Sequence, residues 1–317
     1  MTESGRAARR CLGSVFAPAK VNLALHVVGR RADGYHLIDS LVVFTDIGDR
    51  LTAYQRIDSP PLVIEGPFAA ALSASADNLV CRAERRFREV IETQGHAALP
   101  ELTLHLDKHL PVSSGIGGGS ADGGAALRLL MRIAGSIEPG TIEALALSLG
   151  ADGPMCFRSA PLRARGIGEV IDVWGPLPPL FLVLVNPGIA VATPAVFRRL
   201  RKADNPTLPE ALPRFSDVAA LAAFLHAETR NDLATPAMAE APQIAETVAA
   251  IEASEGCLLA RMSGSGATVF GLYADAATAG RAAARIALAR PDWWVRATAT
   301  LVPGAAEPRG PDETVGD

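Results

Sequence analysis

The chain has 317 residues, enough for two domains, and its 49% hydrophobic and 20% charged residues are typical of a folded protein with a large core. Its 30 basic and 34 acidic side chains leave a net charge of −4, which argues against nucleic acid or an anionic membrane as a partner. Four cysteines lie far apart without a CxxC pair, which argues against a disulfide scaffold or a zinc site and favours a location in the cytoplasm.

A β-hairpin is predicted near the N-terminus. Residues 15–28 alternate apolar and polar side chains, as a half-buried strand does, so Lys20 and Asn22 project from the same face. The Asp33-Gly34 pair is a turn signal, and the apolar residues after it predict a returning strand.

The later segments are predicted from helical or strand periodicity and from their capping residues. In chain order they are a helix over 78–93 with Asp77 as its cap, a strand over 102–107, a helix from about Ser120, a helix over 141–149, a strand at 181–188, a helix over 193–200 with Thr193 as its cap, helices over 217–227 and 243–254, strands at 257–262 and 268–273, a helix over 275–289 and a strand at 293–302.

A proline-rich segment at 175–179 predicts a connection between two domains. We therefore expect an N-terminal domain over 14–174 and a C-terminal domain over 175–303. The polar, aperiodic ends of the chain, residues 1–13 and 304–317, are expected to be disordered.

The most informative motif is a glycine loop between a predicted strand and a predicted helix. Six glycines lie from Gly115 to Gly124, and glycine lets backbone N–H groups approach a phosphate at the positive end of the helix dipole. The spacing is not that of a Walker A loop, and Ser120 stands where the dinucleotide fingerprint needs its third glycine. A second cluster at 263–266 precedes a strand and is equally consistent with a tight turn or a ligand contact.

Three segments, in this order, resemble the GHMP kinase superfamily. They are APAKVNL at 17–23, PVSSGIGGGSADGGAAL at 111–127 and MSGSGATVFGL at 262–272. Four further segments resemble the branch of that superfamily whose acceptor is a cytidine diphosphate derivative of methylerythritol. They are PAKVNLALHVVGRRADGYH at 18–36, ADNLVCRA at 76–83, LGADGP at 149–154 and ATPAVF at 192–197. The resemblance covers about residues 14–302.

This resemblance implies an α+β, two-domain GHMP kinase fold, with an N-terminal ribosomal-protein-S5-like domain and a C-terminal ferredoxin-like domain. It implies ATP and Mg²⁺ as cofactors and transfer of the γ-phosphoryl group to the 2-hydroxyl of 4-diphosphocytidyl-2-C-methyl-D-erythritol, a step of the non-mevalonate route to isopentenyl diphosphate. A monomer or homodimer is expected. Another small-alcohol kinase of the superfamily and a non-catalytic ATP-binding relative remain alternatives.

The resemblance also implies roles for individual residues. Lys20 and Asp152 match the catalytic pair, and Ser120 is the candidate contact to Mg²⁺. The residues that match the ATP loop are Pro111, Val112, Ser113, Ser114, Gly115, Ile116, Gly117, Gly118, Gly119, Ser120 and Ala121. The residues that match the acceptor site are Asn22, Tyr35, His36, Thr193 and Phe197, with Tyr35 and Phe197 expected around the cytosine ring.

Two positions depart from the family pattern. Val42 stands where some members carry an aromatic residue at the cytosine pocket, and Gly153 stands where a branched apolar residue commonly follows the catalytic aspartate. We expect the first to leave the aromatic pocket less complete and the second to loosen the loop that carries Asp152.

Overall fold

The computed structural model describes residues 10–56, 59–135 and 137–301 and contains two separate sheets. The strands are β1 (Cys11–Arg30), β2 (His36–Gln55), β3 (Leu62–Glu65), β4 (Leu102–Asp107), β5 (Leu162–Gly166), β6 (Val170–Val173), β7 (Phe181–Asn186), β8 (Cys257–Met262), β9 (Val269–Tyr273) and β10 (Trp294–Ala299). The helices are α1 (Leu79–Thr93), α2 (Gly118–Ala134), α3 (Pro139–Leu149), α4 (Gly153–Arg158), α5 (Thr193–Arg198), α6 (Val218–Glu228), α7 (Ala234–Glu240), α8 (Gln243–Glu252) and α9 (Ala276–Ala289).

The first sheet is built on a long hairpin. Strands β1 and β2 pair antiparallel, and the sheet continues in the order β3-β4-β2-β5-β6, with only β3 and β4 parallel. Helices α1 to α4 pack together beside it, because each turns an apolar stripe inward, as Phe87 does from α1 and Leu127 from α2. The hairpin predicted from the sequence is therefore confirmed, and it is longer at both ends than the pattern indicates.

The second sheet has the order β10-β7-β9-β8, and all its pairs are antiparallel. Helices α8 and α9 pack on it, while α6 lies over β8 and β9. Residues 174–180 form neither helix nor strand and connect β6 of the first sheet to β7 of the second. Within the described residues, no helix is both long enough and apolar enough to cross a membrane.

A buried ion pair on the first sheet also holds the chain between α5 and α6. Arg163 on β5 makes two hydrogen bonds to the carboxylate of Asp39 on β2, at 2.8 and 2.7 Å. The same carboxylate accepts the backbone N–H of Leu208, which lies in the chain between α5 and α6. Because both charges are shielded from water and satisfied by several partners, removing either one leaves the other buried without compensation.

Three sequence predictions about element ends are wrong. Strand β1 begins at Cys11, so residues 11–13 are paired rather than disordered; residues 1–9 and the predicted tail 304–317 lie outside the described residues. Helix α1 is capped by the Asn78 side chain, which accepts the N–H of Val80, and not by Asp77. Thr193 is the first residue of α5 rather than its cap.

Other helices differ in extent. Helix α2 begins at Gly118, two residues before the predicted start, and α3 begins at Pro139 rather than at Thr141. The apolar residues after Pro154 form α4, and α7 was not expected from the sequence. Both are short, and their apolar positions are too few to establish a helical period.

The two departures from the family pattern lie in close-packed surroundings. Val42 is fully buried in the core of the first sheet. Gly153 is buried at the start of α4, where an added Cβ would lie 1.9 Å from the carbonyl oxygen of Ala146 on α3. Glycine therefore allows α4 to pack against the backbone of α3, which is a tight contact and not the loosened loop that the sequence suggested.

The close contact makes Gly153→Ala destabilising. We expect a loss of about 1–3 kcal/mol in the free energy of unfolding, because the methyl group must displace backbone. Gly280→Ala in α9 is the matched control, since nothing lies within 4 Å of its added Cβ, and it should gain about 0.5–1 kcal/mol. Urea denaturation measures both, and a Gly153→Ala protein as stable as the parent would contradict the packing described.

Candidate active site

An ion pair joins two residues that lie 132 positions apart in sequence. Lys20 Nζ on β1 is 2.9 Å from Asp152 Oδ2, at the residue before α4. The lysine side chain is 5% exposed and the aspartate side chain 36% exposed, so the carboxylate opens toward solvent while the ammonium group is enclosed. The structure therefore brings together the two residues predicted as a catalytic pair.

Next to this pair, the glycine loop leads from β4 into α2. The N–H of Lys20 donates to the carbonyl of Ile116 at 3.0 Å, which fixes the loop to β1. Gly117 caps α2 with a φ of +66°, and no side chain caps the helix. A Cβ on Gly117 would lie 3.1 Å from Lys20 Cε, so glycine permits both the left-handed turn and the close approach of the lysine.

The start of α2 is suited to an anion. The first-turn N–H groups of a helix lack partners within the helix and lie at the positive end of its dipole, and α2 has no acidic residue in its first turn. A phosphate group would therefore find uncapped donors there, with the lysine of the ion pair beside them. The sequence-based prediction that this loop binds phosphate stays a prediction, and the uncapped helix start is compatible with it.

The second glycine cluster packs directly on the first. The Ser263 hydroxyl accepts the N–H of Asn22 and donates to the carbonyl of Gly115, at 3.1 and 3.0 Å. The N–H of Thr268 donates to the carbonyl of Ser114. The sequence left this cluster open between a turn and a ligand contact, whereas in the structure it braces the glycine loop from the second sheet.

Asn22 leaves one buried acceptor without a partner. Its Nδ2 donates to the Ser40 hydroxyl at 2.8 Å, and Ser40 in turn donates to the carbonyl of Ala24. Among the described residues, Asn22 Oδ1 has no hydrogen-bond partner, although the residue is 2% exposed. A buried acceptor of this kind is costly unless a ligand supplies the donor. The sequence did not point to Ser40, because a serine on a strand carries no motif.

Two aromatic rings form a second part of the site. The His36 and Phe197 rings stack with centroids 4.8 Å apart and an angle of 24° between their planes. Burial lowers the pKa of His36 and the nearby charge of Arg30 lowers it further, so the ring is neutral at neutral pH. Tyr35 is 59% exposed at the tip of the hairpin. Phe197 therefore pairs with His36, while Tyr35 lies open to solvent.

The remaining predicted residues are also placed near these elements. The Thr193 hydroxyl is hydrogen bonded to that of Ser265 at 2.7 Å, which links α5 to the second glycine cluster. Ser120 lies in the first turn of α2. In the described part of the chain, no group of three or more His, Cys, Asp or Glu side chains is arranged to hold a metal ion.

Sequence comparisons identify two segments of the chain. A family model of the GHMP kinase N-terminal domain matches residues 78–159, and a model of the C-terminal part of GHMP kinases matches residues 210–290. The first includes the glycine loop and Asp152, and the second includes the cluster that braces the loop.

Individual relatives cover most of the chain. The 4-diphosphocytidyl-2-C-methyl-D-erythritol kinase of Paracoccus denitrificans is 52% identical over 284 residues, which are 89% of this chain and 94% of the relative. The enzyme of that name from Cereibacter sphaeroides is 50% identical over 281 residues, 88% of this chain and 96% of the relative. A crystal structure of 4-(cytidine 5'-diphospho)-2C-methyl-D-erythritol kinase is similar with a TM-score of 0.71 and 30% identity, covering 92% of this chain and 100% of that one.

Removing the bracing hydroxyl should loosen the glycine loop. In Ser263→Ala, the N–H of Asn22 and the carbonyl of Gly115 lose their shared partner, and we expect a loss of about 1–3 kcal/mol in the free energy of unfolding. Hydrogen exchange of the loop amides should also become faster. Ser73→Ala at an exposed position is the control and should change neither quantity. Unchanged loop exchange in Ser263→Ala would show that the second cluster does not brace the first.

Proposed function

The chain belongs to the GHMP kinase family, among its 4-diphosphocytidyl-2-C-methyl-D-erythritol kinases, and on this premise we propose how its residues transfer the γ-phosphoryl group of ATP to the 2-hydroxyl of that acceptor. The products are ADP and the 2-phosphate. The similarity to a solved enzyme of this kind confirms the expected α+β GHMP kinase fold. The observation that carries the proposed mechanism is the ion pair between Lys20 and Asp152 beside an uncapped helix.

The phosphates of ATP bind at residues 111–121 in this proposal. Gly115 and Gly117 have positive φ values, which allow the backbone to approach a phosphate closely, and the α2 terminus adds its positive dipole. A phosphoryl group passes through a loose transition state, so most of the catalysis comes from positioning and from stabilising negative charge. A loop fixed to β1 at Ile116 and to the second sheet at Gly115 supplies that positioning.

Asp152 acts on the acceptor hydroxyl. One of its oxygens contacts Lys20, and the partly exposed carboxylate can accept a hydrogen bond from the hydroxyl. An alcohol is a much weaker acid than a carboxylic acid, so removing its proton before the attack is strongly unfavourable. Asp152 therefore orients the hydroxyl and takes its proton late, as the bond to phosphorus forms.

Lys20 holds Asp152 and offsets negative charge. Its enclosed ammonium group contacts the carboxylate, and the carbons of its side chain lie beside Gly117 of the glycine loop. A fixed cation at this position stabilises the charge that develops on the transferred group, and it does so without reorganising during the reaction. The neighbouring aspartate keeps that cation oriented.

The residues at the loop fit a magnesium ion that is held mainly by phosphate oxygens. Mg²⁺ takes few protein ligands and retains water, so the absence of a dense acidic cluster among the described residues is compatible with it. The Ser120 hydroxyl is the oxygen donor that we propose for it. When bound, the ion neutralises part of the charge on the β and γ phosphates.

The acceptor binds between the hairpin and α5. The stacked rings of His36 and Phe197 offer an aromatic face for cytosine, and Tyr35 at the hairpin tip can close over it. The unpartnered Oδ1 of Asn22 accepts a hydrogen bond from a hydroxyl group of the methylerythritol unit. Thr193 contributes its hydroxyl from the start of α5.

Three further expectations stay proposals. The domain division at 14–174 and 175–303 agrees with a connection between the two sheets at 174–180. A monomer or homodimer and a location in the cytoplasm are proposed from the sequence.

A coupled ADP-release assay tests the reaction. The purified protein should turn over 4-diphosphocytidyl-2-C-methyl-D-erythritol with a kcat/KM at least about 100-fold above that for mevalonate or homoserine, because only the first acceptor carries a cytosine ring for the aromatic face. Preference for mevalonate or homoserine would instead identify another small-alcohol kinase. Binding of ATP without any turnover would identify a non-catalytic relative.

The catalytic pair predicts a specific kinetic result. We expect Asp152→Asn and Lys20→Met each to lower kcat by about 10²–10⁴-fold, and the double variant to be little worse than either alone, because the two residues act as a unit. Asp172→Asn is the matched control, since it removes one carboxylate from an exposed ion pair with Arg165. A normal kcat in Asp152→Asn would refute its role.

The aromatic face predicts a selective loss of acceptor binding. Phe197→Leu keeps an apolar side chain but removes the ring, and we expect the KM for the acceptor to rise about 5- to 100-fold while the KM for ATP is unchanged. Phe215→Leu removes a ring that packs on Trp174 and Phe224 instead, and it controls for a lost aromatic contact. An unchanged acceptor KM in Phe197→Leu would mean that the ring only packs against His36.

A further inference from the structure

A buried cluster of three charged residues lies under the glycine loop. Lys108 Nζ is 2.5 Å from Asp49 Oδ2 and 2.7 Å from Asp122 Oδ2. Lys108 and Asp49 are at most 1% exposed, and Asp122 is 2% exposed. A cluster this deep is a costly arrangement for stability alone, because apolar side chains would fill the space without desolvating charges.

Asp49 fixes the chain where the loop begins. Its second oxygen, Oδ1, accepts the backbone N–H groups of His109 and Leu110 at 2.6 and 2.8 Å. These residues follow β4 directly and lead into Pro111. The carboxylate on β2 therefore determines where the loop leaves the sheet.

Asp122 fixes the chain where the loop ends. It lies on the first turns of α2, four residues after Gly118, and it reaches Lys108 beneath the helix terminus. A Cβ on Gly118 would lie 3.1 Å from Lys108 Nζ, so the lysine tip lies against the first residue of the helix. Lys108 thus bridges the strand that carries Asp49 and the helix whose N-terminus faces the phosphates.

The two carboxyl groups differ in the number of their hydrogen-bond partners. Asp49 accepts three hydrogen bonds, whereas Asp122 accepts one, and Asp122 Oδ1 has no partner among the described residues. Burial raises the pKa of the Asp122 carboxyl well above its ordinary value; the charge of Lys108 opposes this shift, and the charge of Asp49 adds to it. Lys108 therefore supplies the hydrogen bond that holds the Asp122 carboxyl group.

We propose that Lys108 is a positioning residue for the nucleotide, holding the two ends of the glycine loop at a fixed separation through its hydrogen bonds to Asp49 and Asp122. The backbone N–H groups between these ends then face the phosphates before ATP arrives, and less ordering is required on binding. This role rests on the proposed binding of ATP at the loop, and it does not involve the acceptor.

The test is the affinity for ADP with Mg²⁺, measured by calorimetry without acceptor. We expect Lys108→Met and Asp49→Asn to raise the Kd for ADP at least about 10-fold, because the first removes the ammonium group that links the two ends of the loop and the second places an amide NH₂ group against it. Asp122→Asn should stay within about 2-fold of the parent, because the asparagine oxygen still accepts from Lys108 and its NH₂ group replaces an oxygen that has no partner among the described residues. Asp49→Asn keeps the acceptor for the two backbone N–H groups, so it provides a folded variant if Lys108→Met does not fold.

Arg163→Met separates positioning from stability. It breaks the buried pair with Asp39 and should lower Tm as Lys108→Met does, while leaving the Kd for ADP unchanged. If Asp49→Asn and Lys108→Met lower Tm without changing the ADP Kd, the cluster is only structural and the proposal fails. An Asp122→Asn protein that binds ADP as weakly as Asp49→Asn would contradict the expectation that one hydrogen bond from Lys108 to residue 122 is enough to hold the start of α2.

The proposed reaction can fail independently of this proposal. A parent protein that binds ADP but does not phosphorylate the cytidylyl alcohol would refute the reaction, while the comparison of ADP affinities among the variants would still decide the role of Lys108.

Discussion

The position of Lys20 is the constraint on which the site depends. Its backbone N–H holds the glycine loop through Ile116, and its side chain holds Asp152. Both contacts come from one residue of β1, which pairs with β2, so the glycine loop and the Asp152 carboxylate are positioned from the same strand. In phosphoryl transfer, where positioning and charge stabilisation contribute most of the catalysis, this shared origin matters more than any single contact.

The rest of the molecule supports that arrangement from two directions. From the second sheet, Ser263 hydrogen bonds to the glycine loop and to the strand that carries Lys20. From the first sheet and α2, the buried cluster of Lys108, Asp49 and Asp122 holds the ends of the loop. Residues from both sheets, which share no strand, thus contact the same glycine loop. The net charge of −4 is compatible with anionic substrates, because the attraction is local, through backbone N–H groups and enclosed lysines.

The sequence contained enough to predict the hairpin, the glycine loop and the helix after it, because periodicity and glycine spacing are local signals. It did not predict the role of Ser263 or Lys108, since each acts on residues that are distant in sequence. Asp77 and Asn78 are both good capping residues, so the sequence does not distinguish them as the cap of α1. The backbone conformation determines that Asn78 is the cap. Gly153 was misjudged for the same reason: the helix it packs against is visible only in three dimensions.

The most direct test of the central claim is a phosphorus NMR spectrum of the reaction of the protein with ATP, Mg²⁺ and 4-diphosphocytidyl-2-C-methyl-D-erythritol. Carbon 2 of the acceptor carries a methyl group and no hydrogen, so transfer to its hydroxyl predicts ADP and a new phosphomonoester signal that is not split by a proton on the ester carbon. This signal should be absent with Asp152→Asn over the same time. A proton-coupled phosphomonoester, formed at a primary or secondary hydroxyl, or formation of inorganic phosphate alone, would contradict the role assigned to Lys20 and Asp152.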